Sequence, residues 1–347
     1  MTRTNAVVLD EWGGDLSVEQ VERPDPGPGE VRVEVHACAV TRTIENAIQG
    51  GLSDDPGLTP RIPGHEFAGV VDAVGEGVSL DVGDRVLAYF YLVCGACDHC
   101  RRGAANRCTE FGGWYGVNCD GAYAEYAILP EANALPLPDG AGFAAGAVAA
   151  DGLATPLHVC ERTGVDDTDT VLVVGAAGRI GVHLSQLAAR RGAHVVAADV
   201  APERLAHVDD ATPRTVTPVD ASSEEFVDRV REATPYDSGP TVVVDTVGDV
   251  GTLRDAFESM AMGGQVVSLT THHDRVFDAP MTDYVVKEAS FLGSRYATKD
   301  EVVRAARLFA DGRIDPVVRR RVGLDEVPAV HRELRTGETF GTTVVEP

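Results

Sequence analysis

Residues 171–181 read VLVVGAAGRIG, a run of apolar β-formers that breaks into closely spaced glycines and then passes into the helical pattern HLSQLAARRGA. This order predicts a buried parallel strand, a tight turn and a helix N-terminus. Gly175 is expected to turn the strand, Gly178 to let backbone approach a pyrophosphate, and Gly181 to let the helix lie close to the sheet. The free N–H groups of that helix, with Arg179 and Ile180 in its first turn, would face the phosphates. A second strand, HVVAAD, ends at Asp199. A carboxylate there suits an adenosine ribose and repels the 2′-phosphate of NADP, so NAD is the expected coenzyme. Ala176 stands for the first glycine of the strict GxGxxG, with Gly175 just before it. A glycine turn alone would be an ordinary βα connection, but strand, turn, helix, strand and acid in order predict dinucleotide binding, with Arg204 as a further contact.

The chain has 347 residues and 44% apolar content, enough for two domains with a core each. Short strands separated by turns dominate to about residue 130, and an alanine-rich helical stretch runs from Ala141 to Val159. Strand and helix then alternate from Thr170, which calls for a doubly wound parallel sheet. Past Gly293, the helical KDEVVRAARLFADG and the strand TTVVEP are expected to return to the first domain. Acidic residues outnumber basic ones 54 to 30, for a net charge of −24, and only Lys287 and Lys299 are lysines, leaving 28 arginines (30 − 2). Such a surface excludes nucleic acid and anionic membranes as partners. It predicts adaptation to a salt-rich cytoplasm, where the Debye length falls to about 3 Å near 1 M. The start lacks signal-peptide features and no apolar run of membrane-spanning length is read, so a cytoplasmic location is expected. Seven cysteines, four of them within residues 94–108, argue for metal in a reducing compartment.

Cys94, Cys97, Cys100 and Cys108 stand in C-x2-C-x2-C-x7-C, a spacing that wraps four thiolates around a tetrahedral Zn²⁺. Residues 63–78, PGHEFAGVVDAVGEGV, set His65 beside Glu66 and match GHE-x2-G-x5-G-x2-V. The chain thereby resembles the zinc-containing medium-chain alcohol dehydrogenases, over essentially its whole length. The resemblance implies a GroES-like β-rich catalytic domain at 1–152 and 294–347, with a structural zinc lobe at about 92–110. It implies a Rossmann coenzyme domain at 153–293 and a homodimer or homotetramer. The implied activity is NAD-dependent alcohol or polyol dehydrogenation of a small-molecule substrate.

The family's strand end G-V-C-x-T/S-D is here Ala-Val-Thr-Arg-Thr-Ile, residues 39–44, so Thr41 stands at a ligand cysteine and Ile44 at an aspartate. Cys38 lies three residues too early, and the strand period aims it elsewhere. The resemblance puts the other ligand position at Asp151. Two readings stay open: His65, Glu66 and Asp151, with Thr41 or water, hold a harder catalytic zinc, or the metal is lost and they form a hydrogen-bonded pocket. By the same resemblance Arg42 meets the coenzyme pyrophosphate and Thr43 relays a proton between substrate oxygen and coenzyme ribose. Asn46 replaces a relay histidine, so the exit to solvent differs, and Gly341-Thr342 lacks a basic residue, which removes one phosphate contact. The alternative activity is that of an enoyl-type reductase, acryloyl-CoA-like or quinone-directed and without catalytic zinc, since GAAGRIG resembles the turns of those relatives. An acidic surface disfavours a CoA thioester unless Arg42, Arg101 or Arg102 gather into a patch. A third reading is a non-catalytic nucleotide sensor, against which Thr43 and the GHE motif stand. Trp114, Tyr115, Leu153 and Thr271 are candidate pocket residues, and His272 and His273 are read as solvent-facing loop residues.

Overall fold

The structure, a computed structural model, describes residues 2–214, 216–271, 275–336 and 340–347. Tertiary contacts divide the chain into two compact units, Met1–Ala154 with Ala297–Pro347, and Thr155–Tyr296. The readings for His272 and His273 fall outside the described residues.

The Thr155–Tyr296 unit is built on a six-stranded parallel sheet of β1 (Thr170–Val174), β2 (His194–Asp199), β3 (Thr217–Asp220), β4 (Val242–Asp245), β5 (Gln265–Ser268) and β6 (Ser290–Gly293). Its spatial order is β3-β2-β1-β4-β5-β6, the doubly wound arrangement whose ligand crevice lies at the carboxyl end of β1, where the strand order reverses. Every residue of β1 is buried, as expected of a central strand covered on both faces. Leu172 and Val174 pack with Val196, Val243, Phe257 and Met260 in one apolar cluster. Beyond β1, Gly175 takes φ +78°, and a Cβ on it would come within 2.5 Å of Thr246 Oγ1. A Cβ on Gly181 would lie 2.3 Å from the Gly175 carbonyl oxygen. These two glycines let the helix Arg179–Arg190 start directly over the turn. Lys287 closes the far end of the helix Val250–Ser259, its Nζ donating to the carbonyls of Phe257 (3.0 Å), Glu258 (2.7 Å) and Met260 (3.0 Å).

The other unit carries a seven-stranded sheet whose longest pair is antiparallel, Glu30–Ala39 against Glu66–Val74, with Ala39 opposite Glu66 and Cys38 opposite Phe67. On the far side of Glu30–Ala39 lie Thr342–Val345 and then Val318–Val322, so the C-terminal strand TTVVEP completes the sheet begun near the N-terminus. A continuous apolar helix runs over Phe143–Thr163, with a π-helical stretch at Ala149–Leu153. This corrects one expectation, because that helix is long and apolar enough to cross a membrane by length and composition. Glycines and Asp151 inside it hide the run from a simple reading. Its most apolar stretch is 83% buried within the protein, which marks it as a core helix.

Candidate active site

His65 and Glu66 follow a corner that only glycine fits. Gly64 takes φ +100°, and a Cβ there would meet the Tyr123 ring at 2.7 Å and Cys38 Sγ at 3.1 Å. The chain then enters Glu66–Val74, with His65 1% exposed and Glu66 fully buried. Asp151 reaches the same place from the π-helical stretch, where one wider turn re-aims side chains within an otherwise regular helix. Donor atoms of His65, Glu66 and Asp151 all lie within 4.8 Å of one another, and His65 Nε2 is 3.5 Å from Glu66 Oε1. Phe90 stands edge-on to the His65 ring at 4.4 Å. Two carboxylates side by side in a buried site repel each other, and a divalent cation removes that cost. One imidazole with two carboxylates is a donor set that Zn²⁺ accepts. The residues present therefore fit a metal ion.

The neighbouring positions divide. Thr41 is 1% exposed and its Oγ1 accepts the Ile44 N–H at 3.1 Å, so it serves as N-cap of the helix Arg42–Ile48. Cys38 is fully buried outside the three-donor cluster, and burial first, then the Glu66 charge, pushes its pKa well above the usual thiol range. Thr43 is half-buried on the first turn of the helix, and the exposed Arg42 donates to the Leu334 carbonyl at 3.1 Å. The Asn46 side chain covers Gly51, where an added Cβ would sit 2.1 Å from its Oδ1. Tyr115 is 1% exposed, packs on Phe67 at 5.4 Å and donates to the Ile128 carbonyl. Leu153 is also fully buried, whereas Trp114 is half-buried and Thr271 exposed. Arg102 pairs with Asp98 at 2.7 Å, and Arg101 is exposed.

The second donor group is the cysteine lobe. Sγ atoms of Cys94 and Cys100 lie 4.0 Å apart, those of Cys97 and Cys108 4.0 Å, and those of Cys94 and Cys108 3.5 Å. A tetrahedron with Zn–S bonds of about 2.3 Å has edges of about 3.8 Å, so the sulfurs already outline one. Backbone N–H groups of Ala96 and Cys97 donate to Cys94 Sγ at 3.4 and 3.3 Å. Backbone donors at Cys100 and Thr109 lower the Cys97 pKa to about 5, whereas burial and the neighbouring sulfurs push Cys100 up to about 12. Thiolates crowded this way call for a cation at their centre. Among the described residues, this lobe and the His65 cluster are the two groups of metal-type donors.

At the dinucleotide turn, Asp199 ends β2 and its carboxylate spans two backbone donors, Ala177 N–H to Oδ2 and Ala201 N–H to Oδ1, both at 3.0 Å. Each oxygen keeps a lone pair for a further donor. Gly178 caps the helix Arg179–Arg190 without a side-chain bond. Arg204 lies five residues beyond Asp199 with Nε 3.8 Å from Glu203. Sequence reading missed a buried group around Glu45, His331 and Tyr123, because His331 lies more than 200 residues from both of the others and no local pattern joins them.

Two family models match the chain, the alcohol dehydrogenase GroES-like domain over residues 27–139 and the zinc-binding dehydrogenase domain over residues 180–311. The chain is 31% identical over 314 residues to L-galactonate-5-dehydrogenase of Escherichia coli strain K12, covering 90% of this chain and 89% of that protein. It is 27% identical over 343 residues to acryloyl-coenzyme A reductase of Metallosphaera sedula, covering 98% and 99%. The structure of a cobalt- and zinc-bound thermostable alcohol dehydrogenase from Pyrobaculum aerophilum superposes with a TM-score of 0.86 at 27% identity, covering 100% of both chains. Matching domains, doubly wound sheet and converging donors together make this chain a member of the medium-chain dehydrogenase/reductase family, an oxidoreductase of the alcohol dehydrogenase-like type.

Proposed function

We propose that this oxidoreductase interconverts a small alcohol or polyol and its carbonyl, with NAD(H) as coenzyme and zinc held by His65, Glu66 and Asp151. The observation that carries the reading is the buried convergence of one imidazole and two carboxylates within 4.8 Å. When bound, the metal supplies Lewis acidity toward a substrate oxygen and the nicotinamide accepts the hydride. Thr43 holds and passes the hydroxyl proton. Phe90 keeps water from one face of the His65 ring. Asp199 orients the adenosine ribose, and its charge disfavours a 2′-phosphate. Arg42 and the N-terminus of the helix Arg179–Arg190, with its positive dipole end, serve the pyrophosphate. Cys94, Cys97, Cys100 and Cys108 hold a second, structural zinc with no open position. The Lys-poor acidic surface supports work in a salt-rich cytoplasm. The edge strand β6, with Phe291 39% exposed and Val285 and Val286 exposed nearby, supports self-association as a dimer or tetramer.

The test is NADH formation with a panel of alcohols and polyols, before and after a strong chelator. Turnover that chelation abolishes is expected, and chelator-insensitive turnover would overturn the metal assignment. One observation favours a second reading. The Thr41 hydroxyl is engaged as a helix cap, and a full-length relative is named an acryloyl-coenzyme A reductase. An enoyl-type reductase without catalytic metal would show NAD(P)H consumption with enoyl thioesters or quinones and none with alcohols.

A further inference from the structure

Glu45, His331 and Tyr123 form a buried polar chain outside the metal donors and the coenzyme turn. Glu45 is 4% exposed on the helix Arg42–Ile48, and His331 is 1% exposed on the helix Val327–Thr336. His331 Nδ1 stands 2.7 Å from Glu45 Oε2, and its Nε2 3.1 Å from the Tyr123 hydroxyl. Arg335, one turn further on, donates to Glu45 Oε1 at 3.0 Å. Burial pushes the Glu45 carboxyl up, but the hydrogen bonds from His331 and Arg335 outweigh it and hold the group below the usual carboxylate range. Tyr123 is built into the corner that precedes His65: its N–H donates to the Pro63 carbonyl at 2.9 Å, and its ring lies against Gly64. One chain of contacts therefore grips both the helix that carries Thr43 and the corner that leads into His65 and Glu66.

A helix of seven residues has little stability of its own and takes its orientation from tertiary anchors. Glu45 is the buried polar anchor of this one, and its N–H also donates to the Thr41 carbonyl at 3.0 Å. A fully satisfied buried network gives a rigid and unique placement. We propose that Tyr123, His331 and Glu45 are positioning residues that hold the Thr43 hydroxyl in fixed relation to His65 and Glu66. The kinetic consequence rests on the dehydrogenase reading above, whereas the structural consequence does not.

The test combines hydrogen exchange, melting and steady-state kinetics on the full chain carrying Tyr123→Phe, Glu45→Gln, His331→Leu or His331→Gln. In the Phe and Leu variants, backbone amides of residues 42–48 are expected to exchange about tenfold faster while those of the sheet around Glu30–Ala39 stay unchanged. Turnover is expected to fall about tenfold with KM within about twofold, as for a reacting group displaced by a fraction of an ångström. His331→Gln, whose amide both donates and accepts, is expected to restore most of the exchange protection and of kcat. Tyr123→Phe combined with Glu45→Gln is expected to cost no more than the worse single change. Faster exchange spread evenly over the whole unit would overturn the proposal. So would local loosening with unchanged kcat, or Leu and Gln variants that behave alike. If the unmodified protein turns over no alcohol or carbonyl, the functional reading fails separately, and the exchange pattern still decides whether the chain fixes the helix.

Discussion

Asp199 illustrates how one side chain carries two duties. Its oxygens accept the Ala177 and Ala201 N–H groups and so fix the turn, and in the function proposed above its charge would set the coenzyme preference. Asp199→Asn removes the charge and leaves an acceptor for only one of the two backbone donors, so it is expected to lower the ratio of NAD to NADP efficiency about tenfold with a smaller loss of melting temperature than an alanine causes. Asp199→Ala is expected to do the same and also to cost roughly 1–2 kcal/mol, because two backbone donors lose their partner. Coenzyme kinetics and thermal melts separate the two, and an unmodified protein that prefers NADP would contradict the assignment. Thr41 is a second such case. The substitution at a ligand position is visible in the sequence, but its service as N-cap to Ile44 is not, since capping depends on where the helix begins. Thr41→Ala is expected to cost about 1 kcal/mol in a denaturation curve. Thr41→Cys should lose the same cap yet slow metal loss on dialysis, by adding a soft ligand beside His65. No gain in metal retention would place position 41 outside the ligand shell.

At the scale of elements, the sheet was the most legible part of the sequence. Valine-rich runs at β1, β2 and β4, buried and spaced by helical patterns, point to parallel strands, and the structure arranges the sheet as β3-β2-β1-β4-β5-β6. The cysteine lobe was equally legible, because its four donors lie within one short segment. Cys97→Ser is expected to lower the melting temperature or to prevent assembly, and an unchanged melt in a metal-free protein would show the lobe to be misread. What sequence could not show was anything made by distant elements meeting. The π-helical turn that aims Asp151 and the burial of Tyr115 both depend on packing partners far along the chain. The retained lysine Lys287 belongs here too. Its ammonium converges on three carbonyls at a helix end, where a planar guanidinium fork has the wrong shape. Lys287→Arg is therefore expected to cost about 1 kcal/mol despite keeping the charge. An equal melting temperature would remove the structural reason for this lysine.

For the whole molecule, a net charge of −24 makes stability depend on screening. The melting temperature is expected to rise by roughly 10 °C from dilute buffer to molar potassium chloride, and a flat salt dependence would count against adaptation to a salt-rich cytoplasm. Family and fold were readable from motifs that lie close together in sequence, among them the glycine turn and the His65-Glu66 pair. The altered metal site was readable only as a question, since Thr41 and Asp151 depart from the pattern, and the structure supplies the converging donors. The central claim is that this convergence holds a metal that turnover requires. The most direct measurement is metal content per chain, taken on active protein in high salt and repeated after a strong chelator. Two zinc ions per chain, one of them removed together with alcohol-oxidising activity, is the predicted result. One zinc per chain, confined to the cysteine lobe in a protein whose turnover survives chelation, would contradict it.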